Sequence, residues 1–302
     1  MHTYDAIVVG GGPAGLSAAL MLGRCRRRVL VCDSGQYRNA ASHAVHGFLS
    51  RDCIPPSELL EIARQQLDRY GVQLRHVTVR EIKRRRANFV VGLQTGEKIE
   101  TRKVLLATGV VDRLPDIGNV RDFYGTSVHH CPYCDAWEHS DEALCVYGRG
   151  RPAVGLAMSL KTWSADVVVC TDGPSGMKSK DIQNLIKYSI PLRTQRIDRL
   201  EGRDGKLERV VFKKGPPLDR AAMFFNTGQD QRCELAERLG CTFTKKGVVQ
   251  TDKLERTCIP GLFAVGDCAR NAQFVAVAAA QGTIAAEAIN IELQQEDRER
   301  GC

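Results

Sequence analysis

Two cysteines separated by two residues, Cys131-Pro132-Tyr133-Cys134, are the groups in this chain best suited to chemistry. At that spacing the thiols can close a small disulfide ring, so the pair can store two electrons. The thiolate is the attacking species in disulfide exchange, and a helix starting at this point would stabilise one. Asp135 follows directly and could act as general acid or base while a substrate disulfide opens. Other readings stay open: two ordinary buried cysteines with Asp135 as a cap, or part of a zinc site. Zinc lacks a second C-x-x-C or a paired His cluster at ligand spacing, although His129 and His130 stand just before the pair. No metal is expected.

Glycine-rich signatures lie on both sides of the dithiol. Gly10-Gly11-Gly12-Pro13-Ala14-Gly15 follows the apolar run Ala6 to Val9 and opens an apolar helix pattern from Ala14 to Gly23. In that context Gly10 allows the tight turn, Gly12 lets a pyrophosphate approach the backbone, and Gly15 permits close helix packing. The phosphates then rest on the helix N-terminus at Pro13 and Ala14. Asp33, with Ser34 beside it, ends the strand pattern Val29 to Cys32 and is placed to accept hydrogen bonds from ribose hydroxyls. Gly266-Asp267 closes the apolar run from Gly261, and its carboxylate could bond a ribityl or phosphate-proximal hydroxyl or cap a helix. The first signature and Gly266-Asp267 together fit one extended FAD. Gly148-Arg149-Gly150-Arg151-Pro152-Ala153 begins a second nucleotide unit, between strand patterns Ala143 to Tyr147 and Val167 to Cys170.

The elements that must position these groups read as an α/β fold. It has two Rossmann-like dinucleotide-binding domains, the second inserted into the first. At 302 residues the chain exceeds what one core usually holds. The boundaries fall at 1–113 and 246–302 for an FAD-binding domain and at 114–245 for an inserted pyridine-nucleotide-like domain carrying the dithiol. A helix is predicted from Pro56 to Tyr70, and strands at Leu74 to Val79, Phe89 to Leu93, Lys98 to Arg102 and Val104 to Ala107, the last closing on Thr108-Gly109. Phe224 to Gly228 reads as a strand returning to the first domain, and an alanine-rich helix spans about Val275 to Leu293.

Bulk properties exclude several classes. The start from Met1 has no basic segment before a long apolar core, and no apolar run approaches ~18 residues, so a cytoplasmic, non-membrane protein is expected. Twelve cysteines scattered along the chain read as mostly reduced and buried. The net charge of +8 comes from solvated clusters such as Arg84 to Arg86, without aromatic interleaving, so no nucleic-acid partner is expected. Cys302 reads as an unpaired terminal thiol in a polar tail.

In order, these pieces resemble the low-molecular-weight thioredoxin reductases of the flavin disulfide reductase superfamily along nearly the whole chain. The resemblance rests on Gly10 to Gly15, Ala107-Thr108-Gly109, Cys131 to Asp135, the second glycine motif, Thr227-Gly228 and Gly261 to Asp267. It implies a homodimer in which Cys134 faces the flavin, Cys131 attacks the partner's disulfide and Asp135 is the family's aspartate. It also implies a domain rotation presenting flavin alternately to dithiol and nicotinamide, and a thioredoxin-like protein or small disulfide or dithiol as substrate. His46-Gly47-Phe48-Leu49 with Arg51-Asp52 resembles the flavin-side loop of a divergent branch, and an ordinary surface loop stays open as its other reading. The second nucleotide site, at Gly148, Gly150, Arg151 and Asp172, departs from the family. The usual His-Arg-Arg run is replaced by Thr171-Asp172-Gly173, whose carboxylate would repel a 2′-phosphate and suits an NAD ribose. Phe274-Val275, followed by Ala276, stand where the family has Arg-Gln, and Phe274 could stack over the flavin. NADPH and NADH therefore both remain open as donors. So do a dithiol oxidase acting on a small natural product, a reductase fed by an external carrier such as ferredoxin, and a flavoprotein redox sensor without turnover.

Overall fold

The computed structural model describes residues 4–301, so Cys302 lies outside the described residues. The chain divides into two compact units. The first takes the chain to Ala40, then Gly47–Val111 and everything from Asp230; the second takes Ala41–His46 and Asp112–Gln229.

The first unit is built on β1 (Tyr4–Val9), whose Ala-Ile-Val-Val run is almost wholly buried, as a strand covered on both faces requires. It pairs in parallel with β2 (Val29–Asp33) on one side and β6 (Lys98–Leu106) on the other, and β3 (Gln73–His76) extends the sheet beyond β2. The amino half of β6 pairs antiparallel with β5 (Asn88–Leu93), which pairs with β4 (Val79–Arg85); its carboxyl half pairs in parallel with β17 (Leu262–Ala264). One face is covered by α1 (Pro13–Arg24), α2 (Pro56–Asp68) and α8 (Val275–Glu299). Leu16 and Leu22 of α1 share a core cluster with Leu60 and Leu67 of α2 and Ala285, Ile289 and Leu293 of α8. Helices α1 and α8 approach so closely that a Cβ on Gly282 would lie 2.1 Å from the Ala14 carbonyl oxygen.

The second unit holds a five-stranded parallel sheet in the order β11 (Leu192–Arg193), β10 (Val167–Cys170), β9 (Leu144–Tyr147), β15 (Ala222–Phe225), β8 (Val128–His129). Helices α5 (Gly150–Leu160) and α6 (Ser179–Lys187) follow β9 and β10, α3 (Val120–Phe123) precedes β8, and α4 (Pro132–Asp135) follows it. An antiparallel layer of β12 (Ile197–Arg203), β13 (Lys206–Phe212) and β14 (Leu218–Asp219) completes this unit. Short strands β7 (Val110–Asp112) and β16 (Gln229–Gln231) carry the chain out and back, and α7 (Leu235–Arg238) lies in the first unit.

Three sequence expectations change. The chain returns to the first unit at Asp230 rather than 246, because Leu235, Ala236 and Cys241 pack into the first unit's core with Val9 and Phe89. Phe224 is not on a returning strand: β15 sits inside the second sheet between β9 and β8, its apolar run fitting a central parallel position there as well as it would in the first sheet. Lys98 to Arg102 and Val104 to Leu106 form one strand, β6, with Ala107 just beyond its end. The intervening Lys103 is buried with its ammonium 2.6 Å from Glu292 and 2.8 Å from Glu296 of α8.

Candidate active site

Each of the two main sheets presents its functional turns at the carboxyl ends of its parallel strands, where α/β folds place ligands. In the first unit the turn after β1 meets the turn after β6. Gly10 has φ +113°, and a Cβ there would lie 2.2 Å from the Ala107 carbonyl oxygen, so only glycine permits the approach. A Cβ on Gly15 would strike the Gly10 carbonyl at 2.0 Å, whereas one on Gly12 meets nothing within 4 Å. The turn is therefore tight behind and open in front. Helix α1 starts there with Pro13 in its first turn and no side-chain cap, which leaves first-turn N–H groups for an anion. This cradle fits a dinucleotide pyrophosphate, and Gly10, Gly12, Pro13, Ala14 and Gly15 could hold one.

Asp33 is buried, and protein donors already surround it. Oδ1 accepts from the backbone N–H groups of Gly11 at 3.3 Å and Gly35 at 3.0 Å. Oδ2 accepts from Tyr37 and lies 3.7 Å from the Arg64 guanidinium. Burial and the Asp33 hydrogen bond push the Tyr37 hydroxyl up to about 12, so it remains a donor. Ser34 beside it is exposed. Gly266 donates its N–H to the buried Gln281 of α8, and Asp267 is ion-paired with Arg38 at 2.8 Å. Thr108 and Gly109 lie half-buried after β6. Phe274, Val275 and Ala276 begin α8, with Phe274 and Ala276 exposed.

In the second unit β8 runs parallel to β15, so the cysteines emerge at the same sheet edge as the glycine turn after β9. Cys131 and Cys134 are joined as a disulfide with Cα atoms 5.4 Å apart, both partly buried. Cys131 caps α4, which is a single turn; the helix expected to stabilise a thiolate is this one turn, followed by a 3-10 turn over Trp137–His139. Burial, with the nearby Glu138 carboxylate, pushes Asp135 up to about 7. Its Oδ1 lies 3.4 Å from Nδ1 of His129, whose own ionisation is pushed down to about 3 by burial and then by His139 and His130. His46 belongs to the segment that packs with this unit, its Nδ1 3.4 Å from Glu138.

The second nucleotide turn is occupied by the protein's own side chains. Gly148 and Gly150 flank Arg149, which reaches across to the end of β10; its Nε donates to the Thr171 carbonyl at 2.8 Å and its Nη2 to that of Asp172 at 2.5 Å. Asp172 turns inward, accepting from the Ile197 N–H at 2.8 Å and facing Arg196 at 3.3 Å. Arg151 is exposed at the start of α5. The residues that sequence reasoning missed are the partners of these carboxylates, Tyr37, Arg38, Arg64, His129 and Arg196, and His139 behind His129. None carries a motif; only the run His129-His130 before the dithiol was visible.

The profile of the pyridine nucleotide-disulphide oxidoreductase family matches residues 4–282. A relative from Arthroderma benhamiae named "Probable thioredoxin reductase" is 33% identical, over 99% of this chain and 82% of its own length. Thioredoxin reductase tcpT of Claviceps purpurea is 30% identical, over 97% of this chain and 95% of its own. The crystal structure of HlmI is 37% identical with a TM-score of 0.95, over 99% of this chain and 95% of HlmI. With its two Rossmann-like domains, the chain belongs to the pyridine nucleotide-disulphide oxidoreductase family and is a thioredoxin reductase-like, flavin-dependent disulfide oxidoreductase.

Proposed function

We propose that this chain exchanges an electron pair between FAD and the Cys131–Cys134 pair, and between that pair and the disulfide of a thioredoxin-like protein. The observation that carries the reading is a redox-capable disulfide next in sequence to a carboxyl poised near neutrality. Gly10, Gly12, Pro13, Ala14 and Gly15 would hold the FAD pyrophosphate, Asp33 and Ser34 the adenosine ribose, and Thr108, Gly109, Gly266, Asp267 and Phe274 to Ala276 the remainder. FAD bound there supplies two-electron transfer.

In the reduced protein the Cys131 thiolate attacks the partner's disulfide, forming a mixed disulfide and expelling one partner sulfur, which takes a proton from Asp135. The Cys134 thiolate then attacks Cys131, releasing the second partner sulfur and restoring the Cys131–Cys134 bond. Two electrons pass to the partner. Relatives named thioredoxin reductase support the thioredoxin-like partner. Replacing Cys134 by Ser is expected to leave the protein yellow while abolishing disulfide exchange; undiminished exchange refutes the assignment.

One observation favours a second reading for the donor. Arg149 bridges the glycine turn and the end of β10, the crevice in which a Rossmann fold receives its ribose. On this reading electrons do not enter from NADPH or NADH; they come from a small dithiol being oxidised or from a carrier such as ferredoxin. Anaerobic flavin absorbance separates the two. Bleaching by micromolar NADPH or NADH supports the nucleotide-fed reductase, and bleaching only by dithiothreitol or reduced ferredoxin supports the nucleotide-independent one.

A further inference from the structure

Four titratable side chains form a continuous line in the second unit. Asp135 Oδ1 lies 3.4 Å from His129 Nδ1, His129 Nε2 lies 3.3 Å from His139 Nε2, and His139 Nδ1 lies 2.8 Å from Glu142 Oε2. Side-chain exposure is 17% at Asp135, lowest at His129 with 6%, then 14% at His139 and 47% at Glu142, where the line meets solvent. Each imidazole thus has an ionisable group opposite both ring nitrogens, which is what passing a proton through it requires. The ring of His129 packs 5.4 Å from those of Phe224 and His139. The other groups facing the line are Glu138 at Asp135, and His130, His46 and the Thr126 backbone at His129. Glu138 is itself 3.4 Å from His46.

Disulfide exchange creates a need for such a line. An external thiol attacks as its thiolate, having left its proton in bulk water, while the sulfur it expels from the Cys131–Cys134 bond needs one. A proton must therefore cross from solvent to the half-buried dithiol at each opening. We propose that Glu142, His139 and His129 are a proton relay that reloads Asp135 from solvent. This rests on reading Asp135 as the proton donor of the dithiol.

Before reloading, Asp135 is a carboxylate with His129 Nδ1 3.4 Å away, His129 Nε2 accepts from His139 Nε2–H, and a proton taken from solvent reaches His139 Nδ1 by way of Glu142. One concerted shift moves three protons inward. Asp135 becomes the acid, each imidazole exchanges one N–H for the other, and Glu142 is left as a carboxylate open to water. Net, one proton passes from solvent to Asp135, and the rings then rotate to reset. The raised ionisation of Asp135 and the neutrality of His129 suit this route, since the innermost imidazole need never carry charge.

The test uses the flavin-loaded protein with dithiothreitol as the attacking dithiol. Opening of Cys131–Cys134 is followed by rapid quench and alkylation across pH 5.5–9 and in H₂O–D₂O mixtures. His139→Gln and the exposed Glu142→Gln are each expected to slow opening about tenfold or more, within the range removed with a proton-transfer group. They should also shift the pH profile and turn the wild-type's curved dependence on deuterium fraction into a straight line, and added imidazole should partly rescue His139→Gln. Wild-type rates, pH profile and isotope dependence in both variants overturn the relay. Because Glu142 is exposed, its variant stays interpretable if His139→Gln loses packing. Failure of the underlying reading looks different: wild-type protein whose disulfide dithiothreitol does not open, or wild-type reloading in Asp135→Asn.

Discussion

Replacing Asp135 by Asn should reveal how strongly the fold opposes a charge beside the dithiol. Burial raises this carboxyl from 3.8 to about 7. Because the folded value lies above the unfolded one, the acid form is fully accommodated below pH 4, and stability is lost as pH rises from there through about 7. At 1.36 kcal/mol per unit the whole shift corresponds to about 4 kcal/mol. His129 works in the opposite sense. Its folded value, about 3, is depressed from 6.5, so its contribution is lost as pH falls between those values. The two slopes nearly cancel in the wild type between pH 4 and 6.5, and only a comparison of variants separates them. The stability of Asp135→Asn minus that of wild type should climb by about 1.4 kcal/mol per pH unit between 4 and 7, then level off. Urea unfolding at half-unit intervals from pH 4.5 to 8.5 measures this, and ¹³C-carboxyl titration of Asp135 provides a direct check. A difference that stays flat with pH, or a carboxyl titrating near 4, refutes the reasoning.

Gly12→Val should leave the flavin-free protein within about 1 kcal/mol of flavin-free wild type, since a Cβ there meets no protein atom within 4 Å and the cost is that of a poorer cap on α1, while the purified protein loses its yellow colour; retained flavin absorbance at 450 nm contradicts the cradle. Gly282→Ala should cost about 2 kcal/mol or more by forcing α8 away from the Ala14 carbonyl, read as a lowered thermal midpoint. Arg149→Ala opens the crevice beside β10, and tighter NADPH or NADH binding in a fluorescence titration is expected; unchanged binding removes the argument from occlusion.

Much of the architecture was legible because its signals are local. The glycine turn after β1 and the cysteine spacing are read within six residues, and the apolar runs of β1, β2 and β9 suit parallel strands buried on both faces. Where the reading failed, composition was ambiguous. Ala222–Phe225 would suit the centre of either sheet, and only its register with β9 and β8 decides between them. Lys98 to Arg102 and Val104 to Ala107 read as two strands, since the acids that neutralise the intervening Lys103 lie on α8, nearly two hundred positions onward.

The four aspartates that follow recognisable motifs show where sequence reasoning stops. Asp33, Asp135, Asp172 and Asp267 are chemically the same side chain in comparable turns, and each was assigned a job from its motif alone. The fold gives them four different surroundings. Asp33 is enclosed by two backbone N–H groups, Tyr37 and Arg64, so its orientation is set before any ribose arrives. Asp267 and Asp172 face Arg38 and Arg196, and for Asp172 this neutralises the charge that would repel a 2′-phosphate. Its acidity by itself therefore no longer argues for NADH over NADPH; the obstacle to either nucleotide is the arginine lying across the turn. Asp135 instead faces an imidazole and a neighbouring carboxylate, and burial with that carboxylate pushes it towards its acid form. What separates a binding carboxylate from a proton donor here is which partner the topology delivers, from six positions away for His129 to 229 for Arg38. A motif names the acid; the sheet order and loop crossings decide whether it can hold a proton.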